Sequence, residues 1–471
     1  MSSISLTQLQ DKRIVVLGLG LTGMSFVRFL TNNGLSCAVN DSRAQHPAFA
    51  EFADSYPECQ LYTGQWHREV IAQADILLAS PGVDITLPAI AEHISENAQV
   101  WGDVELYARL KDTPCVAVTG SNGKSTVVNL LHHIGQKLGV DTQLGGNVGV
   151  PVLDTINESP ELLILELSSF QLETISSLTP LVASVLNLSD DHLDRHNTMA
   201  LYTALKQGIY RGAQFAVFNA QDSATMPLPD FPIAAKNSCS FSQSTPASSA
   251  LENSDAQQHF GVITHQGETY LAKGEQLLMA VAELPIAGLH NAANCLAALA
   301  IGEQLGWELA KMLDAIKSYQ GLAHRCQPVA SDDGIRWIND SKATNVGATL
   351  AALKGLAPSL GADQKLYLIA GGEGKGADFS PLAPVIAEHV AHVFALGKDQ
   401  QQILALSENS TAVDSIEQAV ANCKQRATAG DVVMLSPACA SIDMFTNFVE
   451  RGNAFAAAVT DVARKSSEEL S

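Results

Sequence analysis

Lys124, Ser125 and Thr126 close a tight glycine loop in "VAVTGSNGKSTVVNLL". An apolar run, a short loop, a lysine, two hydroxyls and a helix-forming stretch stand in the order that a polyphosphate requires. The backbone N–H groups of Gly120, Ser121, Asn122 and Gly123, with the helix start behind them, offer partial positive charge to phosphate. Lys124 would reach the outer phosphates and the Ser125 hydroxyl would ligate Mg²⁺. The spacing is T-G-x-x-G-K-S, with Val118 where the longer phosphate-loop pattern has its first glycine.

Other residues that can do chemistry lie at the ends of apolar runs. Glu166 ends "LLILE", where a carboxylate emerges beside the phosphate loop and supplies the hard oxygen that Mg²⁺ prefers. "NLSDDHLDRH" sets His192 and His196 four apart, able to share one helical face. Neither an adjacent glutamate base nor a third ligand at a familiar spacing argues for zinc. Lys206, in "YTALKQGIY", reads by itself as a surface lysine on a helix. Asn291 and Asn294, in "GLHNAANCLAALAIG", fall on one face near a helix start and suit a base or ribose, or plain capping. Further on, "WINDSKATN" holds Asp340, Lys342 and Thr344. "AGGEGKGADFS" holds Lys375, and "LSPACASIDMFTNFVERG" holds Ser441 and Phe448. All follow strands, at the carboxyl ends where open α/β sheets bind ligands. Arg325, Lys342 and Lys375 offer cations, and Thr344 and Ser441 hydroxyls, to an anionic substrate.

A second glycine pattern comes earlier. "IVVLGLGLTGMS" has G-x-G-x-x-G at Gly18, Gly20 and Gly23, with Asp41 roughly twenty residues on. That is the fingerprint of a dinucleotide site, yet a glycine turn on a helix start serves any pyrophosphate. With a triphosphate loop in the same chain, a simple nicotinamide dehydrogenase fits less well than another nucleotide binder.

The elements that must hold these residues are legible as nine short apolar runs: "RIVVLG", "ADILLAS", "CVAVTG", "LLILELSS", "ASVLNLS", "FAVFNA", "KLYLIAGG", "HVFALG" and "DVVMLSPA". Continuous apolar runs alternating with helical stretches indicate parallel sheets covered on both faces, an α/β architecture. Three blocks separate: 1–103 with the first glycine turn, 104–322 with the phosphate loop, and 323–471 with the last three runs. "SCSFSQSTPASSALENSDAQQ" reads as a surface loop, and "FGVITHQGETYLA" as a hairpin about Gln266 and Gly267. The 471 residues carry 49 acidic against 28 basic side chains, a net charge of −21, which argues against nucleic-acid or membrane-surface binding. The eight cysteines are scattered without a C-x-x-C pair, as buried free thiols would be. "MSSISLTQLQDKR" has no apolar core of a signal peptide and no run suits a membrane span, so a cytoplasmic protein without membrane insertion is expected.

Taken together, "TGSNGKST", "LELSSFQL", "HLDRH", "GLHNAANCLAA", "LAHR", "INDSKATN" and "SPACASIDMF" resemble the Mur ligase family, across all three blocks. "GLGLTGMS" and "NDSKATN" are similar to its D-glutamate-adding branch. The resemblance implies three α/β domains: a Rossmann-like first domain, a central P-loop ATPase-like domain and a Rossmann-like last one. It implies ATP-driven amide ligation in peptidoglycan precursor synthesis, joining D-glutamate to UDP-N-acetylmuramoyl-L-alanine through an acyl-phosphate. By the same resemblance, Lys124 meets the ATP phosphates, and Asn291, Asn294, Arg325, Asp340 and Lys342 complete the ATP site. Ser125 and Glu166 fall on one Mg²⁺; His192 falls on a second, with Lys206 as a carbamylated lysine. Leu21, Thr22, Asp41, Ser42, Arg43, Gly82 and Asn147 match the UDP-substrate site, and Thr344, Lys375, Ser441 and Phe448 the D-glutamate site. Three other readings compete: a folylpoly-γ-glutamate synthetase, which would lack the UDP domain; a dehydrogenase fused to an NTPase; and an NTP-gated switch that forms no amide.

Overall fold

A computed structural model describes residues 4–469 except 232, 246–258, 287, 358, 359 and 362. All nine apolar runs lie on strands, and three sheets follow one another along the chain. The first is wholly parallel, with β1 (Ile14–Leu17), β2 (Cys37–Asn40), β3 (Gln60–Tyr62), β4 (Ile76–Ala79) and β5 (Gln99–Trp101) in the order β3-β2-β1-β4-β5. Every residue of β1 and β4 is buried, as two covered faces require. The winding reverses between β1 and β4, the point where such sheets open a crevice for ligand.

The central sheet has nine strands: β6 (Cys115–Thr119), β7 (Thr142–Gly146), β8 (Leu162–Glu166), β9 (Val182–Val185), β10 (Phe215–Asn219), β11 (Ser238–Phe241), β12 (His259–His265), β13 (Glu268–Lys273) and β14 (Gln276–Ala280). Their order is β14-β13-β12-β11-β10-β9-β6-β8-β7, with the β12–β14 edge antiparallel. The hairpin between β12 and β13 turns on Gln266 and Gly267, both left-handed at φ 52° and 86°, the pairing that matches strand twist in a two-residue loop. One expectation is corrected: "SCSF", read as part of a loop, is strand β11. Its buried serine Ser240 and the adjoining Ser242 are satisfied by one imidazole. Ser240 Oγ lies 2.6 Å from His259 Nδ1 and Ser242 Oγ 3.0 Å from Nε2. The rest of that segment, from 246, lies outside the described residues.

The last sheet joins β15 (Gln327–Val329), β16 (Arg336–Asn339), β17 (Leu366–Gly371), β18 (Val390–Leu396), β19 (Ser410–Ala412) and β20 (Val432–Leu435) in the order β15-β16-β20-β17-β18-β19, antiparallel only at β15. The first two domains share a core, for one apolar cluster runs from Ile14, Phe26 and Val39 to Leu163, Val185 and Tyr210. Arg28 adds a paired contact to Asp154 at 3.1 and 2.6 Å. The apolar clusters of the last domain contain no central-domain residue. Polar contacts join it to the phosphate loop, and the helix Val346–Leu356 meets the central domain where Gly355 packs beside Gly288 and His290.

All eight cysteines are free thiols, with Cys37 and Cys59 Sγ 3.9 Å apart. Among the described residues no helix is long and apolar enough to cross a membrane.

Candidate active site

The phosphate loop rises from β6, whose five residues are all buried, and runs into the helix Lys124–Lys137. Gly123, the residue before that helix, takes φ 84°, and a Cβ there would come 2.4 Å from Asn294 Oδ1. The loop and the adenine candidates are therefore in contact, and Asn294 Nδ2 in turn donates to Asn291 Oδ1 at 3.2 Å. A cavity of about 320 Å³ opens between the central and last domains. Asn122, Gly123, Thr126, Asn291, Asn294, Arg325, Asp340 and Lys342 all line it. Arg325 Nη2 donates to Ser125 Oγ at 2.8 Å, and Asn345 Nδ2 reaches Asn122 Oδ1 at 3.2 Å, so the last domain touches the loop directly.

Four cations crowd this region. Lys124 Nζ bends back to the carbonyls of Gly120 (2.7 Å) and Ser121 (2.9 Å). Lys206, read from spacing as a surface lysine, is 1 % exposed. Its Nζ donates to Thr119 Oγ1 at 3.1 Å and Gly120 O at 3.0 Å, and lies 4.9 Å over the Tyr202 ring. Burial lowers the Lys124 ammonium, an effect that Glu166 and Asp191 oppose. Burial, then Lys124, drives Lys206 well below the ordinary lysine value. Lys342 falls to about 8, through burial and then Arg325, and burial lowers Arg325 as well. Burial pushes Asp340 up to about 6, although Ser436 Oγ (2.8 Å) and the Cys326 N–H (3.1 Å) donate to it. Four lysines and arginines face Glu166, Asp191 and Asp340 in low dielectric, an arrangement that a polyphosphate anion relieves.

Asn147 Nδ2 holds Glu166 Oε1 at 2.7 Å, while Glu166 Oε2 is buried with no hydrogen-bond partner among the described residues. An orphaned carboxylate oxygen at the end of β8, next to β6, whose loop leads to Ser125, fits a hard cation. Among the described residues no group of three or more His, Cys, Asp and Glu side chains forms a metal cluster. The two histidines do not share a face. His192 precedes a single turn, Leu193–His196, at φ 54° and is part-exposed, 3.7 Å from Asp191. His196 is 1 % exposed, with Nε2 2.9 Å from Ser169 Oγ, and His192 departs from the helical face because its backbone is left-handed and precedes the turn. Both rings contact Phe170, with centroids 4.9 Å away for His192 (edge-on) and 5.2 Å for His196 (stacked). A capping box at Ser168 and Gln171 starts the turn that carries Phe170, contributing roughly 1 kcal/mol.

In the first domain the three glycines do different work. Gly18 takes φ 82° and sits against Val83. Gly20 has open space around its missing side chain. A Cβ on Gly23 would meet Gly18 O at 2.0 Å, so the helix Leu21–Asn32 packs hard on the turn. Leu21 is 84 % exposed, and Thr22 stands beside it on the helix's first turn. Asp41 is buried and fully engaged: its Oδ2 accepts the Leu19 N–H at 2.7 Å, and Arg43 Nε donates to its Oδ1 at 2.8 Å. Burial pushes this carboxyl up, but those bonds outweigh it and hold the group at about 2. Asp41 thus braces the turn together with Arg43, whose side chain is part-exposed, while Ser42 and Gly82 are exposed.

The amino-acid candidates emerge from the adjacent strands β16, β20 and β17. Lys342 Nζ lies 4.0 Å from the Phe448 ring centroid, and Ser341 Oγ donates to Phe448 O at 2.8 Å. Ser441 is buried at the root of its loop. Thr344 follows Lys342, and Lys375 is exposed at φ 54°. Tyr202, Asn345 and Arg451 were not among the sequence candidates. Tyr202 OH meets Ser121 Oγ at 2.9 Å, and its place one turn before Lys206 was the available signal. Arg451, 1 % exposed, donates to Ser341 Oγ (3.0 Å) and O (2.8 Å) and to Cys439 O (3.1 Å), tying the two loops together.

A glycine turn at the crevice of the first domain, a phosphate loop in the second and last-domain cations beside that loop are the parts a three-domain ATP-driven ligase needs, and the chain belongs to the Mur ligase family. It matches the Mur ligase MurD-like N-terminal domain over 12–102, the Mur ligase middle domain over 118–302 and the Mur ligase glutamate ligase domain over 324–439. It is 47 % identical to the UDP-N-acetylmuramoylalanine--D-glutamate ligase of Colwellia psychrerythraea, over 96 % of this chain and 98 % of that one. It is 43 % identical to the enzyme of that name from Pseudomonas savastanoi pv. phaseolicola, over 95 % and 98 %. The fold is similar to that of the MurF ligase from Thermotoga maritima in complex with ADP (TM-score 0.60, 16 % identity, 91 % of this chain and 96 % of that one).

Proposed function

We propose that this chain joins the amine of D-glutamate to the alanyl carboxyl of UDP-N-acetylmuramoyl-L-alanine, using ATP. The observation that carries the reading is the end-to-end identity of 47 % to a ligase so named. A carboxylate is a poor acyl donor until one oxygen becomes a phosphate leaving group. The alanyl oxygen attacks the γ-phosphorus, the bond to the ADP oxygen breaks, and an acyl-phosphate forms. The D-glutamate nitrogen then attacks the carbonyl carbon, loses a proton, and the tetrahedral intermediate expels phosphate. Lys124, Arg325 and Lys342 stabilise the charge that builds on the transferring group. The loop 120–126 cradles the phosphates, Asn291 and Asn294 take the base, and Asp340 orients Arg325 and Cys326.

Ser125 and Glu166 would hold one Mg²⁺, and the unpartnered Glu166 Oε2 supports that fit. His192 and Lys206 would hold a second. Bound there, the metal offsets phosphate charge. Lys206 as an amine is no ligand. Burial lowers this ammonium and so favours the free amine that adds to CO₂, which yields a carbamate with two oxygens and releases one proton. Leu21, Thr22, Ser42, Arg43 and Gly82 take the UDP, and Asn147 holds Glu166 near the reacting end. Thr344, Lys375, Ser441 and Phe448 take D-glutamate. A cytoplasmic location suits the nucleotide substrates and free thiols. The test is phosphate release from ATP: it should require both D-glutamate and the UDP acceptor. Equal turnover without either sinks the ligase reading.

A further inference from the structure

The segment after β9 reaches both neighbouring domains. At one end, Asp191 Oδ2 accepts the Asn345 Nδ2 hydrogen at 3.3 Å from the last domain. At the other, the Arg195 guanidinium spans the boundary with the first domain. Its Nη1 lies 3.2 Å from Asp84 Oδ1, and Nη2 donates to Val83 O at 3.4 Å. Nη2 also lies 2.8 Å from Glu173 Oε2, in the central domain. The guanidinium carbon sits 5.7 Å from the Phe170 ring centroid, and that ring meets His192 edge-on. Arg195 is thus paired to a carboxylate in each of two domains and stacked on the ring beside His192.

The first-domain end of this tie is part of the nucleotide turn. A Cβ on Gly18 would come 2.7 Å from Val83 Cγ2. The Val83 N–H donates to Ser80 O at 2.9 Å, and Ser80 Oγ to Gly18 O at 2.9 Å. Gly82, on the expected UDP site, lies between Ser80 and Asp84. Two bonds therefore connect Arg195 to the loop that shapes the nucleotide crevice.

We propose that Arg195 is a positioning residue that registers the first domain, with the acceptor's nucleotide, against the reaction centre at His192. The inference rests on the ligase reading and adds a residue that touches no substrate. A planar fork can satisfy Asp84, Glu173 and the Val83 carbonyl at once, which an ammonium on a flexible stem cannot fix in orientation. The nucleotide anchors one end of the acceptor and the alanyl carboxyl reacts at the other. A loosened tie therefore leaves nucleotide binding intact and displaces the reacting end, and a shift of about 1 Å costs up to roughly 100-fold in rate.

The experiment uses the full chain with Arg195→Met, Arg195→Lys, Asp84→Asn and the Asp84→Asn/Arg195→Met pair. It measures amide formation and, separately, binding of UDP alone. Arg195→Met should lower kcat roughly 10–100-fold, with UDP affinity and ATP KM within about twofold of wild type. Arg195→Lys should recover part of the loss, and the double variant should be no slower than Arg195→Met. Asp84→Asn removes only the first-domain partner and keeps the test open if Arg195→Met fails to fold. Wild-type kcat in both Arg195→Met and Asp84→Asn, additive losses in the pair, or loss of UDP binding alongside kcat each overturn the proposal. Wild-type protein that forms no amide overturns the ligase reading instead.

Discussion

Gly123→Ala tests the join between the phosphate loop and the base pocket. An alanine at φ 84° is left-handed, at a cost of about 1–2 kcal/mol. Its Cβ would also lie 2.4 Å from Asn294 Oδ1, too close for any real contact, so Asn294 must move and give up its bond to Asn291. That loss adds about 1 kcal/mol. The loop must hold this shape to bind phosphate, so a total of about 2–3 kcal/mol should appear in ATP affinity as a roughly 30–150-fold weakening. Gly139→Ala is the control. It has φ 81° and nothing within 4 Å of the added carbon, and it lies beyond the far end of the same helix. It carries the backbone cost without the collision. ATP KM and melting temperature of both variants should be measured side by side. Gly123→Ala should raise ATP KM by that factor with acceptor KM unchanged, whereas Gly139→Ala should lower the melting temperature slightly and leave ATP KM alone. An ATP KM within twofold of wild type in Gly123→Ala, or an equal rise in Gly139→Ala, refutes the reasoning.

Lys206→Ala should lose activity and regain part of it with a short-chain carboxylate in solution; full activity without rescue removes the carbamate. Lys342 at about 8 loses its proton as pH rises, so kcat/KM for ATP, which reports the free enzyme, should fall above pH about 8. Lys342→Arg should abolish that fall even if it lowers the plateau. Asp41, held at about 2 against an ordinary 3.8, stabilises the first domain above pH 3.8, an effect lost as pH falls through 2. Asp41→Asn keeps an acceptor for Leu19 but loses the Arg43 pair. It should cost roughly 1 kcal/mol of stability and raise acceptor KM up to about tenfold, read by denaturant melts and steady-state kinetics.

Nine strands were legible because buried parallel strands are written as apolar runs: β1 and β4 consist of nothing else, and β6 and β8 carry a polar residue only at their last position. β11 was missed because its serines look like loop until His259 is seen bonding Ser240 and the adjoining Ser242. The phosphate loop was legible because its chemistry is contiguous: glycines, lysine and hydroxyls occupy consecutive positions. Lys206 was not, since nothing local says that its helix packs against the floor of that loop. Arg195 and Asn345 escaped for the same reason, as each acts across a domain boundary. Asp41 shows the converse. Its place after the glycine pattern was plain, but the backbone N–H of Leu19 and the side chain of Arg43 decide that it braces the turn.

The central claim is that the amine added is D-glutamate and the acceptor carries UDP. The most direct measurement is an amine panel incubated with ATP, Mg²⁺ and UDP-N-acetylmuramoyl-L-alanine, scored by product mass. The account predicts one dominant product, heavier than the acceptor by a glutamyl residue, formed from D-glutamate and far less from L-glutamate or other amino acids. A product from another amine at equal or greater rate, or ATP consumption with no amide, contradicts it.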